Sequence, residues 1–444
     1  MKKVVKFGGS SLASAEQFKK VGAIIKSDES RVYVVPSAPG KRFSDDTKVT
    51  DMLLHVYETA KAGNDFTEEV KAIKARYDEI ITGLEIKDFS LDKDFEEITK
   101  QLEDLTNPDP MCTLDYVASR GEFLNGKIMA AYLGFEFIDA AEVIFFNAEG
   151  NLNSYKTEKV LGERLSKAQH AVVPGFYGLG KDGKVKTFSR GGSDISGALA
   201  AAAIDADMYE NWTDVSGILM ADPRIVKDPQ PIEKITYAEL RELAFMGASV
   251  LHEESVLPVK EKGIALNIRN TNCPEHPGTV IVDKIEDEES HERFLTGIAG
   301  RKNFTIITVN KRNMNTSQTL RQALEILDRY HANVEHITLG LDSFALVTAT
   351  APLGDGLYSL MGDLEKSCHP DNIQVNDGIA LVAAVGRKMT YRPGISGKIF
   401  RALGEEKINI RTIAQGADEL SIIVGVENKN FEAAVRVLYE SFAG

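Results

Sequence analysis

The stretch Met1-Lys-Lys-Val-Val-Lys-Phe-Gly-Gly-Ser-Ser-Leu12 decides how this chain is read. A short apolar run carries Lys6 and Phe7 onto the pair Gly8-Gly9, and Ser10 and Ser11 follow at once. A helical pattern comes next: Ser14 and Gln17 stand at capping-box spacing, and Phe18, Val21, Ile24 and Ile25 share one face. The pattern predicts a strand, a tight turn whose backbone amides no side chain obstructs, and a helix N-terminus. Unpaired amides and the positive helix end converge there on an anion, the arrangement that cradles phosphate. Lys6 adds a point charge. Most Gly-Gly turns are only turns, so the rest of the chain has to supply the meaning.

At 444 residues the chain is long for one domain, and two or three are expected. Its 43% hydrophobic and 27% charged residues describe an ordinary globular protein with ample core. The net charge of −14 argues against nucleic acid or an anionic membrane as partner. It also means that a nucleotide ligand needs cations concentrated in its site: Lys, Arg and bound Mg²⁺. Cys112, Cys273 and Cys368 are odd in number and widely separated, without metal-ligand or redox spacing, so a reducing cytoplasm is the expected compartment. A strand begins almost at Met1, so no signal peptide is expected, and no apolar run reaches membrane-spanning length.

The first part alternates strand and helix signals, as an α/β sandwich does. Arg31–Val35 reads as the second strand, reached through a helix over Ser14–Ser27. Residues 61–105 are helical in rhythm, and Lys181-Asp-Gly-Lys184 is a hairpin turn. Glycine and serine cluster at Ser189–Ser193 ahead of an alanine-rich helix, Ile195–Ile204. The charged run Asp283–Arg293 marks a domain boundary. Beyond it lies an internal repeat: Leu324–Thr338 aligns without gaps on Phe400–Ala414, an offset of 76 residues, which puts Asn333 on Asn409 and Val334 on Ile410. The strands Ser343–Thr348 and Glu419–Val424 are expected to keep that offset. Each copy reads strand, helix, strand, strand, helix, strand, a ferredoxin-like unit. Such a pair is either a structural or dimerisation module or a pair of small-molecule sensors.

Four more segments carry chemistry. Ser119-Arg-Gly-Glu122 places an acidic residue at a helix start, where a solvated carboxylate is the simpler reading of Glu122. Phe188-Ser-Arg-Gly-Gly-Ser-Asp-Ile-Ser196 is a second Gly-Gly turn entering a helix. In it Arg190 can fork onto a carboxylate or phosphate, and Asp194 is either functional or a helix-stabilising N-terminal carboxylate. Asn211–Arg224 joins a strand end to a loop dense in turn residues. Met246-Gly-Ala-Ser-Val-Leu-His252 says little alone. No G-x-x-x-x-G-K-[ST] occurs, so a P-loop kinase is not expected.

Taken together, KFGGSSL, SRGE, SRGGSD, TDVSGILMADPR and GASVLH stand in the order and context found in aspartate kinases, and the chain resembles that family over nearly its whole length. The two repeats resemble ACT domains. The resemblance implies a three-layer αβα amino-acid-kinase domain with a mainly parallel sheet over residues 1–285. Two ferredoxin-like (βαββαβ) ACT domains would follow over 295–375 and 376–444, with strands interleaved between them. It implies ATP-dependent phosphorylation of the side-chain carboxylate of L-aspartate, with ATP and Mg²⁺ as cofactors and no metal ligand assigned directly to the protein. By the same likeness, Lys6 and Asp194 are catalytic. Ser37, Thr50, Glu122, Arg190 and Ser193 bind substrate. Lys6, Gly8, Gly9, Ser10, Thr213, Asp214, Leu219, Arg224, Ser249 and Val250 bind nucleotide. Asn333, Val334, Glu335, Asn409, Ile410 and Gln415 are effector contacts. Lysine or threonine, or both, would inhibit, and the ACT domains would make a homodimer or homotetramer. Related glutamate, acetylglutamate and uridylate kinases would not combine these five motifs with two ACT-like repeats. No Rossmann domain follows the second repeat, so a fused homoserine dehydrogenase is not expected. Departures from the family pattern fall at Leu219, where an aromatic is common, and at Ser249, where a lysine is common. His252-Glu253 replaces His-Pro, Gln318 replaces a glycine, and Gly340-Leu341 replaces a polar pair. The alternative reading is a catalytically weak or dead homologue that senses an amino acid.

Overall fold

The computed structural model describes the chain except residues 108–109, 190, 249–250, 252, 287–293, 314, 388, 390–392, 417 and 444, and the side chains of 106, 253, 254, 355 and 443. The chain forms two compact units. One comprises Met1–Ile218, Pro231–Tyr237 and Val250–Ile285; the other comprises Leu219–Gln230, Ala238–Ser249 and Glu286–Gly444.

The first unit is built on strands β1 (Lys3–Phe7), β2 (Arg31–Pro36), β3 (Glu136–Phe137) and β4 (Ala171–Val172), with a hairpin of β5 (Tyr177–Leu179) and β6 (Val185–Thr187). Next come β7 (Met208–Thr213), β8 (Ile218–Leu219, whose second residue belongs to the other unit), β9 (Pro231–Ile232), β10 (Lys234–Thr236), β11 (Ala265–Asn270) and β12 (Thr279–Val282). Eight of these form one sheet in the order β10-β12-β11-β7-β1-β2-β4-β3. It is parallel from β11 through β3, while β12 runs antiparallel to β11. The helices are α1 (Ala15–Lys26), α2 (Val49–Lys61), α3 (Thr67–Gly83), α4 (Asp92–Glu103), α5 (Leu114–Leu133), α6 (Ala140–Val143), α7 (Ser154–Lys167) and α8 (Gly192–Ala203).

Alternation along β1 explains the layers. Val5 and Phe7 point to one face, where they join a core with Phe18, Leu53, Tyr77, Leu124 and Trp212 from α1, α2, α3, α5 and β7. Val4 and Lys6 point to the other face, beside their ladder partners Tyr209 and Asn211 on β7. There the Tyr33 hydroxyl donates to the carbonyl of Leu165 in α7, and the Tyr209 hydroxyl donates to the carbonyl of Asp194 in α8. Helix α8 lies close because it is rich in alanine and glycine; a Cβ on Gly197 would come within 2.5 Å of the Tyr209 hydroxyl. As the sequence predicts, Ser14 caps α1 by accepting from the Gln17 amide, and Gly183 turns the β5–β6 hairpin at φ 80°. Helix α8 begins at Gly192, three residues before the predicted start.

Beneath the sheet surface lies a buried charge. Glu210 is fully buried and accepts from Arg31 Nε (2.8 Å) and Trp212 Nε1 (2.9 Å), with Lys3 Nζ at 3.1 Å. Burial would raise its pKa, but the Arg31 hydrogen bond and the two cations outweigh that and hold it low.

Helices α9 (Tyr237–Phe245) and α10 (Glu253–Glu261) follow the first-unit strands β9 and β10, and all but the first residue of α9 belongs to the second unit. That unit is a six-stranded antiparallel sheet of β13 (Gly297–Asn310), β14 (Val334–Leu339), β15 (Ser343–Ala349), β16 (Asn372–Val385), β17 (Thr412–Gln415) and β18 (Ser421–Glu427). Its order is β14-β15-β13-β16-β18-β17. Helices α11 (Thr316–Arg329) and α12 (Leu357–Cys368) share one core, and α13 (Ile395–Glu405) and α14 (Phe431–Ala443) share another. β13 and β16 each run through both halves: residues 297–301 pair with 381–385, whereas 304–310 pair with β15 and with the start of β16. β16 thus passes without a break through position 375. The second copy departs from the constant repeat offset. Ile337 faces Leu346 but Ile413 faces Val424, so the second hairpin is longer by two residues and β18 starts at Ser421. An even insertion keeps every side chain on its own face, which is why it is tolerated. Ala221 and Val226, from the Leu219–Gln230 segment, pack into the core of α13 and α14.

Candidate active site

The carboxyl ends of β1, β2 and β4 meet the N-terminus of α8, the edge where open parallel sheets place their ligands. After Phe7 the chain enters a single 3-10 turn, Gly9–Leu12. The Gly8 amide is used up, donating to the Trp212 carbonyl at 3.0 Å, and this corrects the expectation that all three amides of Gly8, Gly9 and Ser10 face a phosphate. The first bond inside the turn runs from the Ser11 amide to the Gly8 carbonyl, so the Gly9 and Ser10 amides lie ahead of it. Gly9 must be glycine: a Cβ there would sit 2.8 Å from the Ala38 carbonyl oxygen. Its own carbonyl accepts from the Gly40 amide at 2.8 Å, which ties the loop after β1 to the loop after β2.

Lys6 Nζ lies 2.6 Å from Asp194 Oδ1, and both side chains are largely buried. Asp194 is the third residue of α8, whose N-cap, Gly191, adopts a left-handed φ of 58°. Ser193, the second residue, is buried against Gly175, where a Cβ would come within 2.7 Å of it. The next residue, Phe176, holds φ at 80°, an uncommon conformation for an aromatic side chain, and donates its amide to Ser196 Oγ.

Glu122, on α5, is buried rather than solvated. Its Oε2 is a buried acceptor with no partner in the structure. Burial pushes its carboxyl up to about 8, against hydrogen bonds from the Ala38 amide and its own amide and the nearby Lys6 charge. One turn further, Asn125 donates Nδ2 to the Ser37 carbonyl at 2.7 Å and leaves its own buried Oδ1 unpartnered. The Ser37 amide donates to the Phe7 carbonyl, which fixes that loop on β1. Thr50, the second residue of α2, lies where a Cβ on Gly121 would be 3.8 Å from its hydroxyl. Lys6, Asp194, Ser193, Ser37, Thr50 and Glu122 are thus held around one edge of the first unit.

Thr213 ends β7 and Asp214 follows it in the same unit, with the Thr213 hydroxyl donating to Asp214. Leu219 and Arg224 belong to the second unit. Arg224 is exposed and forked onto Asp222, with Nη2 2.6 Å from Oδ2, a contact made within its own loop. Arg190, Ser249 and Val250 lie outside the described residues. Among the described residues, no three His, Cys, Asp or Glu side chains cluster to hold a metal.

Sequence reading missed Asn125 and Asn211. Asn211 Nδ2 donates to Asp194 Oδ1 at 2.9 Å. A single asparagine in a strand or helix carries no spacing signal; only the ladder register that sets Asn211 beside Lys6 reveals it.

The second unit holds the other expected contacts. Asn333 is exposed just before β14, whose Val334 and Glu335 are partly buried; Asn409 is exposed, Ile410 partly buried, and Gln415 ends β17 facing solvent.

A basic residue paired with an acid beside a glycine turn, and an α/β sheet joined to paired ferredoxin-like modules, define a nucleotide-dependent kinase of the amino-acid-kinase class with a regulatory part. Residues 1–270 match the model of the amino acid kinase family, and residues 382–442 match that of an ACT domain. Aspartokinase 3 of Bacillus subtilis is 36% identical over 99% of this chain and 98% of its own length. The crystal structure of Clostridium acetobutylicum aspartate kinase superposes with a TM-score of 0.91 at 47% identity, each chain fully covered. E. coli aspartokinase III, crystallised with aspartate and ADP in an R-state, has a TM-score of 0.74 at 28% identity over the whole of both chains. The same enzyme with lysine and aspartate in a T-state has a TM-score of 0.76. The chain belongs to the aspartokinase family of kinases.

Proposed function

We propose that this enzyme transfers the γ-phosphoryl group of ATP to the side-chain carboxylate of L-aspartate, giving 4-phospho-L-aspartate and ADP. The observation that carries the reading is Glu122, a buried carboxylate with an unpartnered oxygen, beside the Lys6–Asp194 pair at an open glycine turn. Burying a charge-bearing group without a partner is costly unless a ligand completes it. The α-ammonium of an amino acid supplies the missing donors, with Asn125 Oδ1 as a second acceptor one helical turn away. Arg190 takes the α-carboxylate, while Ser37, Thr50 and Ser193 offer hydroxyls to the substrate.

The nucleophile is already an anion, so no general base is needed. An oxygen of the substrate carboxylate bonds to the γ-phosphorus, the bond to the β,γ-bridging oxygen breaks, and ADP leaves with that electron pair. The enzyme's task is to hold two anions together and to disperse charge on the transferring group. Lys6 does this as a fixed cation aligned by Asp194, and the amides of Gly9 and Ser10 with the N-terminus of α8 add donors. Mg²⁺ bound to the nucleotide would supply the remaining neutralisation at the phosphates. Thr213, Asp214, Leu219, Arg224, Ser249 and Val250 are assigned to the nucleotide.

Lysine or threonine, bound about Asn333–Glu335 and Asn409–Gln415, is proposed to inhibit. Lysine accompanies the T-state of the E. coli relative. The edge strands β14 and β17 expose Ile337, Leu339 and Ile413, which suits assembly of a homodimer or homotetramer through this sheet. Among the described residues, no helix is long and apolar enough to cross a membrane. A coupled assay with purified protein and Mg-ATP tests the reading. Aspartate-dependent ADP release is expected, and its absence would leave an amino-acid sensor as the better description.

A further inference from the structure

We infer that Asn211 is a positioning residue for phosphoryl transfer, acting through Asp194 to keep the Lys6 ammonium available to the substrate anions. The inference rests on the kinase reading above. Lys6 and Asn211 are ladder partners on adjacent parallel strands, so their side chains leave the sheet side by side on the face covered by α8. Both reach the same atom: Asp194 Oδ1 lies 2.6 Å from Lys6 Nζ and accepts from Asn211 Nδ2 at 2.9 Å. Asn211 is only 2% exposed, so its amide is removed from water and its geometry is set by packing. The backbone of Asp194 is pinned separately, since its carbonyl accepts from the Tyr209 hydroxyl at 3.1 Å.

The shared oxygen has a chemical consequence. A carboxylate with Lys6 as its sole cationic neighbour is free to turn about its Cβ–Cγ bond and draw the ammonium onto either oxygen. With Asn211 donating as well, the carboxylate plane is fixed, and part of the electron density at Oδ1 goes to the amide. Lys6 therefore keeps its orientation and gives Asp194 a single contact. Two of its three N–H donors are left for incoming anions. An ammonium held too tightly by its own carboxylate stabilises the transition state poorly, because the interaction that speeds the reaction is the one made only there. Asn211 thus sets how strongly Lys6 is held in reserve.

The test is a double-mutant cycle on the full-length protein. Asn211→Leu removes the donor at nearly constant volume and is expected to lower kcat about tenfold, with KM for aspartate changed less than twofold. Asn211→Asp adds an anion beside Lys6 and is expected to lower kcat further than Asn211→Leu does. In an Asp194→Ala background, Asn211→Leu is expected to change kcat less than twofold, because the group it acts through is gone. The inference is overturned if the two substitutions multiply independently. It is equally overturned if Asn211→Leu leaves kcat intact, or if the losses follow the thermal midpoints rather than the order Leu before Asp. A wild-type protein without aspartate-dependent ADP release sinks the kinase reading itself, whereas wild-type turnover with independent effects sinks only the role of Asn211.

Discussion

Lys6 is the residue on which the proposed phosphoryl transfer turns. It is buried, paired with Asp194 and electrostatically close to Glu122, so it belongs to the site rather than to the solvent layer. Lys6→Ala is expected to cut kcat roughly 100- to 1,000-fold with a much smaller rise in KM for aspartate; an unchanged kcat would falsify its assigned role. Glu122 makes a pH-dependent prediction. With its carboxyl pushed up to about 8, the free enzyme holds the proton at neutral pH, whereas an ammonium ligand favours the carboxylate. Under the proposed role, substrate binding expels a proton. KM for aspartate is expected to fall about tenfold per unit as pH rises towards 8, and then to level. Glu122→Gln is expected to weaken binding and flatten that slope, and a slope that survives the substitution would place the titrating group elsewhere. The family likeness names Glu122 as a substrate contact, but its burial is not legible in Ser119-Arg-Gly-Glu122, because burial is a property of the packed helix rather than of its four letters.

At the scale of elements, the most legible part was β1, its turn and α1, where local signals agree: an apolar run, two glycines and a capping pair. The Asp-Gly hairpin was legible for the same reason. Less legible was the contact between the two loops after β1 and β2, which brings residues some thirty positions apart into backbone contact. Gly40 meets Gly9 so closely that a Cβ on Gly40 would lie 2.6 Å from the Gly9 carbonyl carbon. Gly9→Ala and Gly40→Ala are each expected to cost roughly 1–3 kcal/mol and to lower kcat by pushing the turn after β1 away from the loop after β2. Thermal melts with steady-state kinetics check both, and an alanine variant with wild-type kcat would argue against that coupling. Helix α9 illustrates a different blind spot. Its fully buried Glu239 accepts from Arg387 Nη1 at 3.2 Å and from the Thr296 hydroxyl, contacts with residues far along the chain. A charged residue in a nine-residue helix reads as solvated, and the partners that bury it carry no local mark.

For the whole molecule, linkage gives the simplest experiments. Glu122 titrates higher in the folded protein than the ordinary carboxylate value of 4.5, so the fold favours its protonated form. The contribution of this group is complete below that ordinary value and is lost as pH rises through about 8. Aspartate, by pairing with the carboxylate, is expected to raise the thermal midpoint more at pH 8 than at pH 6. A larger shift at pH 6 would contradict the assignment. The proposed feedback ligands would act by the same mass action: at a hundredfold excess over Kd a folded-state ligand adds about 2.7 kcal/mol. Under the proposal, lysine or threonine, or both, are expected to raise the midpoint, and silence from both would remove amino-acid control from it. The repeat itself was plain in the sequence, but the route of its strands was not. Lys302 and Asn303 are exposed in the middle of β13, yet the strand continues through them.

That continuous strand has a consequence for biosynthesis. Gly297 at the start of β13 finds its ladder partner in Val385, 88 residues later (385 − 297). On the ribosome, the leading end of β13 must therefore emerge and wait, through all of α11, β14, β15 and α12, before the segment that pairs with it exists. Contacts so far apart along the chain form slowly and leave a strand edge open in the meantime. Neither repeat can be completed as it is made; both wait for β16 to be synthesised.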